Sequence, residues 1–205
     1  VVNIVTGDGS TGSLIVNHKD INKIAFTGST QVGKLIQKSL AGRDVGLTLE
    51  LGGKAANIVY EDAAIDQAVE GVVNGIFFNQ GHVCCAGSRL LLQESIHDEF
   101  VKKLEKRMQS LRVGNPLDKN TDIGAINSKE QLDKITGLVN EGVEDGGELF
   151  QTECELPGNG FWFRPTLFTN VQPSYSIARE EIFGPVLTTL TFRTPEEAVE
   201  IANNT

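Results

Sequence analysis

The chain has 205 residues, 40% of them hydrophobic, with 18 Lys and Arg set against 27 Asp and Glu. A net charge of −9 and a pI near 4.9 leave no basic face for a nucleic acid. The mean hydropathy of −0.12 comes with no apolar run long enough to cross a bilayer as a helix. The length suffices for one large domain or for parts of two.

Three cysteines, Cys84, Cys85 and Cys154, form no disulfide framework and no CxxC pair. Adjacent cysteines are poorly placed to bridge each other, so a reducing, cytoplasmic compartment is expected. His18, His82 and His97 stand at no zinc-like spacing from the thiols, so no metal is expected. The chain opens on Val1-Val2-Asn3 and stops at Asn203-Asn204-Thr205, and both ends read as cut.

In chain order, Asn3-Ile4-Val5 followed by the glycine-rich stretch 7–12 predicts a short strand and a turn. Lys23-Ile24-Ala25-Phe26 predicts a second strand, broken by Thr27-Gly28-Ser29-Thr30. Val32, Leu35, Ile36 and Leu40 then trace one helix face ending at Gly42, and residues 46–51 form another strand. Strand, turn, helix, strand is the grammar of a parallel α/β sheet.

From Ile65 the apolar positions 65, 68, 69, 72, 73, 76 and 77 make a strong helical stripe that ends shortly before Cys84. Residues 90–93 read as a strand. Ser95, with Asp98 and Glu99 behind it, has the form of a helix N-cap, and Phe100, Val101, Leu104, Met108 and Leu111 continue one face. Asn115-Pro116-Leu117-Asp118 is a loop. A helix over 129–143 closes at Gly146-Gly147, short strands follow, and a last helix starts near Pro195.

Four segments carry chemistry. Gly28-Ser29-Thr30-Gln31-Val32-Gly33 puts small residues at a strand-to-helix turn, where backbone N–H groups meet a phosphate closely. It lacks the GxGxxG spacing, and such a turn is commonly an ordinary helix cap. Glu50, in Leu49-Glu50-Leu51-Gly52-Gly53-Lys54, alternates with leucines, so Thr48 and Glu50 share one face of the strand. It is either a structural carboxylate or, raised in pKa by apolar neighbours, a general base.

Cys84 lies in Phe77-Phe78-Asn79-Gln80-Gly81-His82-Val83-Cys84-Cys85-Ala86-Gly87-Ser88-Arg89. Small residues make this loop accessible, so the thiol is a candidate nucleophile; the alternative is a buried, inert cysteine. In Glu180-Glu181-Ile182-Phe183-Gly184-Pro185, the acids and the aromatic are by themselves equally a solvated pair and a core residue.

Together, in this order and separation, the four segments resemble the motifs of the NAD(P)-dependent aldehyde dehydrogenase family, and the similarity runs over residues 1–205. The resemblance implies an α/β fold with a parallel-sheet, Rossmann-type cofactor domain, present in part, and an α/β catalytic domain. Residues 1–52 would be the C-terminal part of the dinucleotide-binding domain, and 53–205 the thiol domain, truncated at its C-terminus.

The same resemblance implies that Cys84 is the nucleophile, Glu50 activates the deacylating water, and Cys85 is a packing neighbour. Thr27, Gly28, Ser29 and Gly33 would form the turn beside the cofactor, with Ser29 at a phosphate and Thr27 near the nicotinamide. Leu51 and Gly52 would approach the nicotinamide through their backbone. Glu181 would bind ribose hydroxyls, Phe183 would pack on the nicotinamide ring, and Glu180 would be a bystander. The cofactor would be NAD or NADP, the partner a small-molecule aldehyde, and the full-length protein a homo-oligomer (dimer or tetramer), with no nucleic acid or membrane partner.

Two positions depart from the family pattern. His82 and Val83 stand where members often carry Gln and a further Cys; His82 either tunes the thiol or, as preferred, is a tolerated surface substitution, and Val83 shapes the aldehyde pocket. An Asn that donates to the oxyanion in the family's N-terminal part is not in this chain, which leaves the Cys84 backbone N–H as the candidate donor. Three rivals differ in chemistry: an acylating enzyme using CoA in place of water, a cofactor-free thiol esterase, and an inactive binding or assembly module.

Overall fold

The computed structural model describes residues 1–205, and its contacts divide into two compact units, Val1–Gly52 and Gly53–Thr205.

In the first unit, α1 (Gly9–Asn17) precedes β1 (Lys23–Gly28), α2 (Thr30–Leu40) and β2 (Gly46–Leu51). The strand expected at Asn3-Ile4-Val5 does not form, and the glycine-rich stretch is helical. The helix start is local in origin: the Asp8 carboxylate accepts from the Ser10 N–H at 2.9 Å and caps α1. β1 and β2 pair in parallel, with Thr27 opposite Glu50 and Gly28 opposite Leu51. Val16, Ile24, Ile36 and Leu40 make the small core of this unit. Arg43 donates to the carbonyls of Val16 and His18 at 2.7 and 2.8 Å, holding the chain where it leaves α1.

The second unit runs β3 (Ala56–Val59), α3 (Ile65–Phe77), β4 (Arg89–Gln93), α4 (His97–Met108), α5 (Lys129–Glu144), β5 (Glu148–Gln151), β6 (Thr166–Thr169), α6 (Ser176–Arg179), β7 (Val186–Phe192) and α7 (Pro195–Asn203). Its sheet has the order β3-β4-β7-β6-β5. The first four strands are mutually parallel, whereas β5 runs antiparallel to β6. That departs from an all-parallel sheet because segment 152–165 contains no helix, and parallel neighbours need a crossover that only a longer, usually helical, connection supplies.

The stripe read on α3 is the core: Val69, Val72, Val73, Ile76 and Phe77 pack with Phe100, Leu104 and Met108 of α4 and with Leu90 and Leu92 of β4. Leu90, Leu91 and Leu92 are all fully buried, as a central parallel strand covered on both faces requires. Ser128 and Thr194 cap α5 and α7. Ser95 is not the cap of α4. It sits in a 3-10 turn, Glu94–Ile96, and its hydroxyl donates to Glu61 at 2.8 Å. No helix is long and apolar enough to cross a membrane.

Candidate active site

Parallel pairing explains how two segments far apart in sequence meet. β4 and β7 are neighbours, with Arg89 opposite Thr188, so the loops that enter them lie side by side at the amino ends of the strands. One loop carries Cys84; the other carries Glu181 and Phe183. The more usual place for a ligand in an α/β sheet is the carboxyl end of the strands.

The thiol loop begins with a sharp reversal after α3. Asn79, Gln80 and Gly81 have φ of 49°, 47° and 76°, left-handed values that stop the helix and turn the chain back. The Asn79 side chain donates to the His82 carbonyl at 3.1 Å, and the Gln80 carboxamide oxygen accepts from the Gly124 N–H at 3.1 Å. A Cβ at Gly81 would overlap the Gly184 carbonyl, so glycine here is the condition for the two loops to touch. Cys84 is exposed, as its small-residue loop led one to expect, but Cys85 is exposed too. Exposure alone therefore does not set Cys85 apart from Cys84.

The second loop is braced from α5. Gln131, in the first turn of that helix, donates through Nε2 to the carbonyls of Ile182 and Phe183 at 2.8 and 3.1 Å. This holds Phe183 at φ 55°, a left-handed conformation that a bulky residue adopts only when its surroundings insist. Its ring stacks on His82 with centroids 5.2 Å apart and planes 10° from parallel. His82 is thus no surface substitution. Its ring is half-buried, its Nε2 is enclosed without a partner, and burial holds its pKa below the usual histidine value.

Glu181 accepts the Gly53 N–H at 3.2 Å. Beside it, Lys54 is buried and its Nζ has no hydrogen-bond partner. Burial pushes the Lys54 ammonium down to about 7, the Arg89 charge acts in the same direction, and Glu181 and Glu180 oppose it. Arg89 donates from Nε to the Lys54 carbonyl at 2.9 Å and from its two terminal nitrogens to the carbonyls of Ile201 and Ala202 at 2.9 and 2.7 Å. It thereby satisfies the end of α7 with a cation.

In the first unit, the register of β1 and β2 sets Thr27 beside Glu50 and Gly28 beside Leu51. Burial alternates along β2, with Leu47, Leu49 and Leu51 half-buried and Thr48 and Glu50 exposed. The alternation is as read from sequence; the apolar enclosure expected around Glu50 is not, because its face of the strand is open. Ser29 caps α2 by accepting the Val32 N–H at 3.3 Å. The first turn of that helix holds no acidic residue, so its positive end is unopposed. Gly33 faces Leu51, whose Cδ2 would lie 2.6 Å from an added Cβ, so glycine lets α2 lie flat on β2.

The buried state of Lys54 and the bracing role of Gln131 were not read from the sequence. The run Gly53-Lys54-Ala55-Ala56-Asn57-Ile58-Val59, with one charge just ahead of an apolar strand, is a signal for the first; nothing local marks the second. No three His, Cys, Asp or Glu side chains gather into a site for a metal ion.

The profile of the aldehyde dehydrogenase family matches residues 1–205. Retinal dehydrogenase 2 of Rattus norvegicus is 50% identical over 210 residues, covering 100% of this chain and 40% of that protein. The chain therefore spans two fifths of the length of such relatives. The crystal structure of an NAD-dependent aldehyde dehydrogenase from Sinorhizobium meliloti superposes with a TM-score of 0.94 at 42% identity, covering 98% of this chain and 40% of that one. An aldehyde dehydrogenase from Bacillus cereus solved with NAD+ gives a TM-score of 0.93 at 39% identity, over 97% and 41% of the two chains. With motifs, fold and whole-length similarity in agreement, the chain belongs to the aldehyde dehydrogenase family.

Proposed function

We propose that this chain carries the nucleophile, the base and part of the cofactor site of an enzyme that oxidises an aldehyde to a carboxylic acid with NAD or NADP. The observation that carries the reading is the exposed Cys84 thiol on a loop clasped to the Glu181–Phe183 loop. A nucleophile of this kind needs open access and a rigid mount, and the mount is supplied by Gly81 against Gly184 and by Gln131.

Each unit, taken by itself, offers groups suited to part of a dinucleotide. Ser29 retains a hydroxyl proton for a phosphate oxygen at the unopposed N-terminus of α2. Glu181 keeps a second carboxylate oxygen for ribose hydroxyls, since Gly53 engages only Oε1. Phe183 remains partly exposed, with a ring face for the nicotinamide. Thr27, Gly28, Gly33, Leu51 and Gly52 complete the cofactor side of the reading. When bound, the cofactor supplies the hydride acceptor.

In the chemistry, the Cys84 thiolate adds to the aldehyde carbon and forms a thiohemiacetal, with the Cys84 backbone N–H a donor to its oxygen. Loss of hydride leaves a thioester on Sγ. Glu50 takes a proton from water, the hydroxide attacks the acyl carbon, and the thiolate departs with the carboxylic acid free. On this reading residues 1–52 belong to the dinucleotide-binding domain and 53–205 to the catalytic domain. The whole protein is a homo-oligomer acting on a small molecule in the reducing cytoplasm.

The test is the absorbance of reduced nicotinamide with NAD or NADP and a panel of aldehydes. Retinal and betaine aldehyde belong in the panel, since retinal dehydrogenase 2 and a betaine aldehyde dehydrogenase are among the similar proteins. Turnover that disappears in Cys84→Ala is the expected result. A complete protein that reduces neither nicotinamide with any aldehyde, or that does so equally well without Cys84, refutes the mechanism.

A further inference from the structure

Read from sequence as a surface substitution, His82 is instead half-buried and stacked on Phe183. Its ring lies 5.2 Å from that of Phe183 and within 10° of parallel, while Gly81, the residue before it, presses on Gly184, the residue after Phe183. Two ring-bearing residues thus stack directly beside a glycine–glycine contact, so each ring's place depends on the other's. The Phe183 backbone is fixed at φ 55° by Gln131, yet the backbone leaves side-chain rotation about χ1 and χ2 open. His82 closes off that freedom by covering one face of the ring. Phe183 as a whole stays partly exposed, which leaves ring surface for a planar partner.

We propose that His82 is a positioning residue for the nicotinamide: it stacks on Phe183 and holds that ring in the orientation against which the cofactor packs. The inference rests on the dehydrogenase reading above and extends it to a side chain that touches neither substrate nor hydride. A flat, neutral ring suits the task, because it stacks offset on an aromatic face without a charge to solvate. The enclosed, unpartnered Nε2 is consistent with a ring retained for its shape and not for a hydrogen bond.

The experiment uses the complete protein and two variants of similar size, His82→Leu, which fills the volume without a plane, and His82→Phe, which restores one. Calorimetric titration with NAD reads the Kd. His82→Leu is expected to weaken binding about threefold to tenfold, the range an aromatic pair commands, and His82→Phe to return it to within about twofold of the parent. In parallel, histidine ring protons are followed by NMR with ring-labelled histidine, the His82 signal being the one His82→Leu removes. An upfield ring-current shift that vanishes in Phe183→Leu is expected.

Equal affinity for NAD in the parent and His82→Leu overturns the inference and leaves the dehydrogenase reading standing. Equal weakening in both His82 variants also overturns it, since a flat ring would then not be what matters. Absence of the ring-current shift removes its geometric basis. Failure of the parent protein to bind either nicotinamide, with the shift present, overturns the dehydrogenase reading and this inference with it.

Discussion

Glu181 accepts the backbone N–H of Gly53 at 3.2 Å, although the two residues are 128 positions apart. That bond pins the carboxylate to the segment that follows β2 and leaves its second oxygen uncommitted. Replacement by Gln keeps an acceptor for Gly53 but removes the charge. Glu181→Gln is expected to weaken NAD binding about tenfold, the value of one charge-assisted hydrogen bond, while the urea midpoint changes little. Titration calorimetry beside equilibrium unfolding separates the two effects.

The two adjacent thiols are both exposed, so access alone does not choose between them. On the proposed mechanism Cys84→Ala lowers kcat by about 10³-fold or more with NAD affinity retained. Cys85→Ala stays within about threefold of the parent. Steady-state kinetics with mass spectrometry of the trapped acyl-enzyme decides it; an acyl group found on Cys85 would reverse the assignment.

Gly81 combines a φ of 76° with contact against the Gly184 carbonyl. Ala at this position meets both penalties, a left-handed backbone and a steric overlap that only the backbone can relieve. A loss of about 2–4 kcal/mol in unfolding free energy is expected. Gly53→Ala, where an added Cβ meets nothing within 4 Å, serves as the control and is expected to stay within about 1 kcal/mol.

Lys54 carries a pH signature. Its ammonium has a folded pKa of about 7 against an ordinary value of 10.5. Between those values the unfolded chain binds a proton that the folded chain lacks, so stability rises with pH across that window and is lowest below it. Lys54→Met abolishes this contribution, on the order of a few kcal/mol from one end of the window to the other. Urea unfolding of parent and variant at pH 7, 8, 9 and 10 measures it as a narrowing gap between the two curves.

What the sequence made legible was what repeats locally. The α3 stripe, the α5 span, the Pro195 helix start and the alternation on β2 each follow from periodicity or a cap, and the structure reproduces them. Local signals failed at Asn3-Ile4-Val5, where apolar composition suggests a strand but no neighbouring strand pairs with it. They failed again wherever the partner lies far along the chain. His82 stacks on Phe183, and the charges that act on Lys54 come from Glu181 and Arg89. No window of a dozen residues contains either relationship. Likewise the antiparallel β5 is set by what segment 152–165 lacks, and absence of a helix is a weak signal to read in advance.

Arg89 opens β4 a few residues after Cys84, yet two of its three hydrogen bonds end on the last turn of α7. The guanidinium thereby ties the start of the central strand to a helix more than a hundred residues further along the chain, while its Nε holds the Lys54 carbonyl. Arg89→Met removes both contacts at once, and amide exchange at Ile201 and Ala202 and the alkylation rate of Cys84 are then expected to rise together.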